Sequence, residues 1–199
     1  MRPKQKRGNS RRVVDIVTAG PSRSTLSNRE SVRRRYRPKR VRILFVGEAP
    51  PASGRFFYHG DSGLYRAIRD TFLAAFPSLP KDDFLRSFQS SGCYLVDVCG
   101  EPVDHLPRST RLMVCRAGEG RLARKIRTLR PEVIVTLVMS IRASVQRAQK
   151  MAIWAGLHVE LPYPGRWKRH RVEFQRRLAP VLLKILGQLS QKAATEARD

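Results

Sequence analysis

An apolar run in this chain ends abruptly at the segment Gly-Glu-Ala-Pro-Pro, residues 47–51. The four residues before it, Ile-Leu-Phe-Val at 43–46, are too few for a helix and rich in β-branched and aromatic side chains, so they predict a buried strand. Gly47 allows close approach of a ligand, and the prolines prevent a strand or helix from continuing. Glu48 is therefore expected at the carboxyl end of a strand, where ligands bind in open α/β sheets. Taken alone, the pattern fits equally well a strand that ends in a proline-stiffened loop.

Strand-like and helix-like periodicities alternate along the rest of the chain. Three further strands are predicted over residues 93–98, 133–138 and 157–161, with helices over 61–76, 118–129, 140–154 and 168–189. Connections of this length between strands require crossovers, which produce parallel sheets covered on both faces. The predicted fold class is therefore α/β: a three-layer α/β/α domain over residues 41–190 with a central, mostly parallel four-stranded sheet.

Positive charge is concentrated at the amino terminus. The chain carries a net charge of +24, and residues 1–40 hold 14 Lys and Arg against 2 Asp and Glu. These forty residues contain few large apolar side chains, so we expect a disordered basic arm that binds polyanions without reading sequence. An organellar transit peptide fits the same Arg- and Ser-rich composition. Residues 191–199 are predicted to form a frayed tail.

The carboxyl ends of the four predicted strands carry polar side chains. Glu48, Asp97, Ser140 and Tyr163 each stand in or beside the loop that follows one of these strands. Because parallel strands end at one edge of a sheet, these four loops are expected to converge there. The sequence therefore predicts one candidate site rather than four separate polar loops.

The motifs at these strand ends resemble those of the uracil-DNA glycosylase superfamily, most closely its family 4 type. That type has Gly-Glu-Ala/Gly-Pro-Gly followed by Gly-Arg-Pro-Phe, and this chain has Gly-Glu-Ala-Pro-Pro at 47–51 and Gly-Arg-Phe-Phe at 54–57. A Thr-Asn-Val-Val-Lys-Cys-like run corresponds here to Val-Asp-Val-Cys at 96–99. Pro-x-Val-Ile-Val is matched at 131–135, and the final His-Pro-Ser is replaced by Tyr-Pro-Gly at 163–165. The motifs occur in the family's order over about residues 41–185.

The resemblance implies a role for each matching residue. Phe57, or its neighbour Phe56, would stack on a base flipped out of the DNA, as base-modifying enzymes require. Glu48 would orient or activate the water that attacks C1′, and the implied catalytic and base-binding residues are Gly47, Glu48, Ala49, Phe57, Asp97 and Tyr163. A loop and helix start would press on the DNA backbone, with Arg55, Arg166, Trp167, Lys168 and Arg169 as the implied contacts. A solvated, charged helix start is the simpler interpretation of the last four.

Two substitutions change the chemistry that the resemblance implies. The family's Asn is Asp97 here, and an ionised carboxylate accepts hydrogen bonds but cannot donate to the O4 of uracil. Unless burial raises its pKa enough for it to donate, Asp97 is expected to reject uracil and favour a base that presents donors. The family's His is Tyr163, whose phenol can donate a hydrogen bond but cannot carry positive charge.

The cysteines do not match the iron–sulfur cluster that family 4 members bind. Cys99 and Cys115 are 16 positions apart, as in the later ligand pair of that family, but no cysteine precedes Cys93. A 4Fe–4S cluster needs four thiolates, so we expect no cluster, no metal and no other cofactor. Cys99 and Cys115 are then expected to be buried thiols, with a disulfide or a metal shared between molecules as open alternatives. Three cysteines also indicate a reducing compartment.

The function predicted from these residues is that of a DNA glycosylase-like protein, which recognises or excises a flipped, deaminated or damaged base by hydrolysis of the N-glycosidic bond. The first alternative is a catalytically inactive nucleic-acid-binding module that retains the fold. The second, a phosphate-handling α/β enzyme, is disfavoured because neither G-x-x-x-x-G-K-[ST] nor G-x-G-x-x-G occurs. We expect a monomeric intracellular protein, cytoplasmic or nucleoid-associated, with DNA or alternatively RNA as its partner. No eighteen-residue apolar run is present, so no membrane span is predicted.

Two further polar residues near the predicted site have simpler interpretations. His59 lies in the loop before the first helix and can replace the missing imidazole, although a loop histidine is more often solvated. Asp61 is more plausible as the cap of the following helix than as a catalytic group.

Overall fold

The computed structural model describes residues 23–80, 82–165 and 167–196, with a four-stranded sheet at their centre. The strands are β1 (Ile43–Gly47), β2 (Cys93–Asp97), β3 (Val133–Thr136) and β4 (Leu157–Glu160). Their order is β2-β1-β3-β4, and every neighbouring pair is parallel. The predicted α/β fold with a parallel sheet is therefore confirmed, and within the described residues the sheet is wholly parallel.

In the described part of the chain, six α-helices flank the sheet: α1 (Arg23–Arg35), α2 (Gly63–Ala75), α3 (Phe84–Ser90), α4 (Arg108–Leu129), α5 (Arg142–Ala152) and α6 (Lys168–Glu196). The chain moves in one direction across the sheet from β1 to β2 and in the other from β2 to β3 and β4. Right-handed crossovers therefore place α2 on one face and α4 and α5 on the other, and α6 returns to pack on α2. None of the described helices is both long enough and apolar enough to cross a membrane.

The interior consists of the apolar strands and a cluster of aromatic rings. Ile43, Leu44 and Phe45 of β1 are fully buried, as expected for a central parallel strand. Phe72 of α2 contacts both Phe84 and Phe88 of α3, with ring centroids 5.4 and 5.8 Å apart. This cluster holds α2 and α3 against one side of β1 and β2, directly below the edge where these strands end.

Helix α4 begins ten residues earlier than the sequence pattern predicts. The helix was expected to span residues 118–129, but it starts at Arg108, immediately after Pro107. Residues 108–117 carry no clear apolar stripe, so their helical state depends on the tertiary contacts of the helix. Gly118 serves packing instead: a Cβ there would lie 2.4 Å from the backbone oxygen of Val98. The absent side chain lets α4 approach the segment that follows β2.

Part of the predicted amino-terminal arm is helical. Residues 1–22 lie outside the described residues, but Arg23–Arg35 form α1, which corrects the expectation of disorder through residue 40. Tyr36 stacks on Tyr58 with ring centroids 5.5 Å apart, and Arg33 is buried against two carboxylates. The expectation of disorder rested on the small number of large apolar residues in this segment. It missed a helix that is held in place by the Tyr36–Tyr58 stacking and by the buried Arg33–Asp97 ion pair. At the other end, α6 continues to Glu196, so residues 191–196 of the predicted frayed tail are helical.

Candidate base-binding pocket

A cavity of about 350 Å³ lies at the carboxyl edge of the sheet, as the strand ends predicted. Six of the predicted site residues line it: Gly47, Glu48, Ala49, Phe57, Asp97 and Tyr163. The parallel register explains their convergence, because Gly47, the last residue of β1, lies opposite Asp97, the last residue of β2. Leu137 and Val138, just after β3, and Tyr163, after β4, complete that edge. The volume is at the lower end of ligand pockets, which suits a single flat ring system.

Gly47 is required because the Asp97 side chain lies directly over it. A Cβ at position 47 would lie 2.5 Å from Asp97 Oδ1, well inside van der Waals contact. The missing side chain thus lets a carboxylate lie against the end of β1. The glycine predicted to allow close approach of a ligand therefore first allows close approach of an acidic side chain.

Asp97 is buried and paired with an arginine from the amino-terminal helix. Arg33 Nη2 donates to Asp97 Oδ2 at 2.7 Å, and Arg33 Nη1 donates to Glu30 Oε2 at 2.5 Å. Burial raises the pKa of Asp97 above its ordinary value, and the charge of Arg33, followed by that of Lys125, opposes this rise. The permanently charged guanidinium of Arg33 therefore favours the carboxylate form of Asp97 against the effect of burial.

Glu48, the next residue along the cavity lining after Gly47, is held by two neighbours. Arg111 of α4 forms an ion pair with Glu48 Oε2, and Ser140 Oγ donates to Oε1 at 3.4 Å. The backbone oxygen of Glu48 also accepts from the amide of Cys99 at 2.8 Å. The carboxylate is therefore fixed in position and mostly covered.

Phe56 and Phe57 both line the cavity and are both buried. Phe57 packs in the aromatic cluster, 5.2 Å from Phe88 between ring centroids, whereas Phe56 lies under the guanidinium of Arg33 at 5.4 Å. Asp61 Oδ1 accepts from the amide of Phe56 at 2.8 Å, and the cap of α2 is Ser62. Asp61 therefore anchors the phenylalanine loop and does not cap the helix.

Tyr163 forms the mouth of the cavity and is 49 % exposed. Partial desolvation raises the pKa of its phenol, so the group is a neutral hydrogen-bond donor at neutral pH. Unlike the imidazole that the family resemblance implies at this position, the phenol cannot gain a positive charge by protonation.

Of the predicted DNA contacts, the four that the structure describes do not line the cavity. Arg55, Trp167, Lys168 and Arg169 are exposed, Trp167 by 64 %, and Arg166 lies outside the described residues. His59 is also exposed; its ring meets the edge of Phe56 at 5.3 Å, so it borders the phenylalanine loop without lining the cavity.

Cys99 and Cys115 lie side by side beneath the Glu48 loop. Their sulfurs are 3.3 Å apart, both thiols are buried, and Cys93 stands at the far end of β2. The hydrogen bond between them raises the pKa of Cys99 and lowers that of Cys115. With three cysteines in the chain, the residues present do not fit a four-thiolate cluster. Within the described residues, no three metal-binding side chains are grouped together, and the expectation of no cofactor stays a prediction.

Two residues of this site, Arg33 and Arg111, were missed by the sequence reasoning. They are 64 and 63 positions from the carboxylates that they pair with. In a chain with 40 Lys and Arg, no local signal distinguishes these two from the solvated ones. The available indication was that carboxylates at the ends of buried strands would themselves be buried, and buried charges require oppositely charged partners.

The fold and the cavity together define a class of protein: an α/β/α domain with a small cavity, lined by aromatic side chains and carboxylates, at the carboxyl edge of a parallel sheet. The sequence profile of the Uracil DNA glycosylase superfamily matches residues 34–187, which is more than half of the chain. The chain belongs to this superfamily, as its motifs predicted. Comparison with curated protein sequences gives no match.

Proposed function

We propose that this protein binds DNA and recognises or excises a flipped, damaged base. The observation that carries the proposal is that Glu48 and Asp97 both line one cavity, together with Phe56 and Phe57, at the carboxyl edge of the sheet. An extruded base needs a flat apolar slot for its faces and polar groups for its edge. Phe56 and Phe57 supply the first, and Asp97 and Tyr163 supply the second.

In the enzymatic version, Glu48 orients a water molecule for attack at C1′ of the flipped nucleotide. The C1′–N bond breaks and its electron pair leaves with the base, while the water oxygen bonds to C1′ and its proton passes to Glu48 and then to solvent. Gly47 and Ala49 contact the base or the water through their backbone. The hydrogen bond from Ser140 would keep the carboxylate aimed at its target.

The DNA backbone is proposed to lie across the exposed start of α6. Trp167, Lys168 and Arg169 are exposed there, and Arg55 is exposed on the loop beside the cavity. Cations at a helix N-terminus suit phosphates, and an aromatic side chain suits a strand that is being distorted. Arg166 and the basic residues before α1 would add sequence-independent attraction. A DNA-bound role also accounts for the proposed cytoplasmic or nucleoid-associated location.

The second candidate, a binding module without catalysis, is favoured by one observation. Both carboxylate oxygens of Glu48 are already engaged, Oε2 by Arg111 and Oε1 by Ser140, which leaves the group less available to hold a water molecule. Within the superfamily we propose kinship with the family 4 type, supported by the segments at 47–51 and 96–99. The missing early cysteine pair would then mark a branch that lacks the cluster.

The decisive experiment compares base release with binding on the same substrates. Purified full-length protein is incubated with single- and double-stranded oligonucleotides that carry uracil, hypoxanthine, xanthine or no lesion. Abasic sites that disappear in Glu48→Gln support the enzyme, whereas lesion-dependent binding without release supports the module. Equal, salt-sensitive binding to every oligonucleotide without release would refute both.

Asp97→Asn tests the placement of the base edge in the cavity. An amide restores the donor that uracil needs at O4, so the variant should shift the preference toward uracil relative to the wild type. An unchanged preference would show that position 97 does not contact the base edge.

A further inference from the structure

The charged residues around the cavity are mostly acidic, in contrast to the chain as a whole. Among the described residues that line it, Glu48, Asp97 and Asp104 are carboxylates and Arg111 is the one guanidinium. This lining belongs to a protein with a net charge of +24. The basic surface attracts a polyanion, whereas the acidic, aromatic cavity favours a neutral or cationic group.

Arg33 influences whether Asp97, which lines the cavity, accepts or donates hydrogen bonds. Its side chain is buried, its guanidinium lies over the ring of Phe56, and Nη2 donates to Asp97 Oδ2 at 2.7 Å. It also lies just before residues 34–187, the segment matched by the superfamily profile. A donor on Oδ2 and the permanent positive charge beside it favour the form of Asp97 that accepts hydrogen bonds and cannot donate them.

We propose that Arg33 is a specificity-determining positioning residue that keeps Asp97 an acceptor, and that the cavity takes a guanine-type base made cationic by alkylation at N7. The inference rests on the proposed function and names its substrate class. A guanine edge presents N1–H and N2–H side by side, which match the two oxygens of a carboxylate. Uracil presents a single N–H between two carbonyls, and these would meet Asp97 with like polarity.

The charge of the departing base leads to the same class of substrate. Uracil leaves as an anion, and Arg111, the guanidinium of the described lining, is already paired with Glu48. The anion would therefore lie beside Asp97 and a phenol that cannot become cationic. In an N7-alkylguanine nucleotide, the electron pair of the broken C1′–N9 bond goes to N9 and cancels the positive charge of the ring. Water supplies the oxygen at C1′ and releases one proton, so the products are an abasic site and a neutral N7-alkylguanine. The cationic ring also gains from the faces of Phe56 and Phe57 before the bond breaks.

The test uses full-length protein and oligonucleotides that carry one N7-methylguanine, one uracil or only ordinary guanine. Released base is measured by liquid chromatography, and binding by fluorescence anisotropy. The wild type should favour N7-methylguanine over uracil at least tenfold, in release or in binding. Arg33→Met should lower this ratio at least tenfold, and Arg33→Lys should retain most of it. Arg34→Met, an equal loss of charge at the exposed neighbouring position, should leave the ratio unchanged.

A second measurement reports on Asp97 without any DNA. The carboxyl carbon signal of ¹³C-labelled aspartate is followed against pH in the wild type and in Arg33→Met. Other charges that act on Asp97 are Lys125 of α4 and Arg29 of α1, with Glu30 beside Arg33, and all remain in the variant. The midpoint of Asp97 should rise when Arg33 is removed, and an unmoved midpoint would overturn the role of Arg33.

The outcomes separate the two proposals. A wild type that prefers uracil, or an Arg33→Met variant with an unchanged ratio, overturns this inference and leaves the glycosylase-like function standing. A wild type that neither releases nor discriminates any modified base overturns the proposed function, and the substrate class with it.

Discussion

Gly47→Ala is expected to destabilise the fold specifically through the side chain of Asp97. The new methyl carbon would lie 2.5 Å from Asp97 Oδ1, whereas carbon–oxygen contacts are comfortable only from about 3.3 Å. The carboxylate must therefore move by about 0.8 Å, which is enough to lengthen its 2.7 Å hydrogen bond from Arg33 beyond the usual limit of about 3.2 Å.

Both ways of accommodating the methyl group have a similar cost. Retaining the Arg33 contact overpacks the site, which costs about 1–3 kcal/mol. Releasing it loses a hydrogen bond between charged groups, which is worth about 1.5–3 kcal/mol. The free energy of unfolding should thus fall by about 2 kcal/mol, measured by urea denaturation followed by circular dichroism. Gly63→Ala is the matched control, because nothing lies within 4 Å of a Cβ at that position.

A double-mutant cycle tests the reasoning rather than the magnitude alone. In an Asp97→Ala background the obstructing oxygen is absent, so Gly47→Ala should cost less than about 0.5 kcal/mol, the limit within which independent sites add. Equal destabilisation by Gly47→Ala in both backgrounds would refute the argument, since the clash would then lie with backbone atoms and not with the carboxylate.

Three further predictions concern other parts of the molecule. Burial would raise the pKa of Glu119, but hydrogen bonds from Arg147 and Ser144 hold this pKa below its ordinary value. Glu119→Gln should therefore lower the free energy of unfolding by about 1–3 kcal/mol at pH 7. This difference from the wild type should shrink as pH falls below about 4.3, because the stabilisation from a lowered pKa is lost on acidification. A thermal-melt difference independent of pH would contradict this. The Tyr58 hydroxyl accepts from the Leu95 amide at 2.7 Å and donates to the Leu95 carbonyl at 3.0 Å. Tyr58→Phe should therefore lower the free energy of unfolding by about 1–3 kcal/mol and speed hydrogen exchange at the Leu95 amide. Unchanged exchange at that amide would argue against this role of Tyr58. Replacing Lys168 and Arg169 by alanine should weaken binding to every DNA alike and reduce the slope of log K against log salt by about 2, whereas a sequence-dependent loss would count against backbone contact.

The parts of the fold that follow from the sequence are those fixed by local pattern. The short apolar runs at 43–46 and 93–97 have no periodicity that a helix can use, and glycine and proline or polar residues end them. Once the strands are known to be parallel, the convergence of Glu48, Asp97 and Tyr163 follows from geometry alone. The prediction of one site at that edge therefore needed no knowledge of side-chain contacts.

The parts that did not follow depend on contacts between distant residues. Helix α1 is fixed by Arg33, whose burial makes sense only once Asp97 lies beside it, and its sequence otherwise reads as a solvated basic segment. The unpredicted first part of α4 likewise contains Arg111, whose partner Glu48 is distant in the sequence. In both cases composition and propensity were outweighed by tertiary packing, to which a single-sequence pattern is blind.

The order of the strands in the sheet has a consequence for synthesis of the chain. The most apolar strand, β1, is translated first, but both of its hydrogen-bonding partners come much later, starting at Cys93 and Val133. Until then its two edges are open, which is the state in which β-prone segments associate with other molecules. The forty residues immediately before it carry 14 Lys and Arg. Strong positive charge beside a β-prone strand opposes its association with other molecules. The basic segment would therefore protect β1 against aggregation until β2 and β3 have been synthesised and can pair with it.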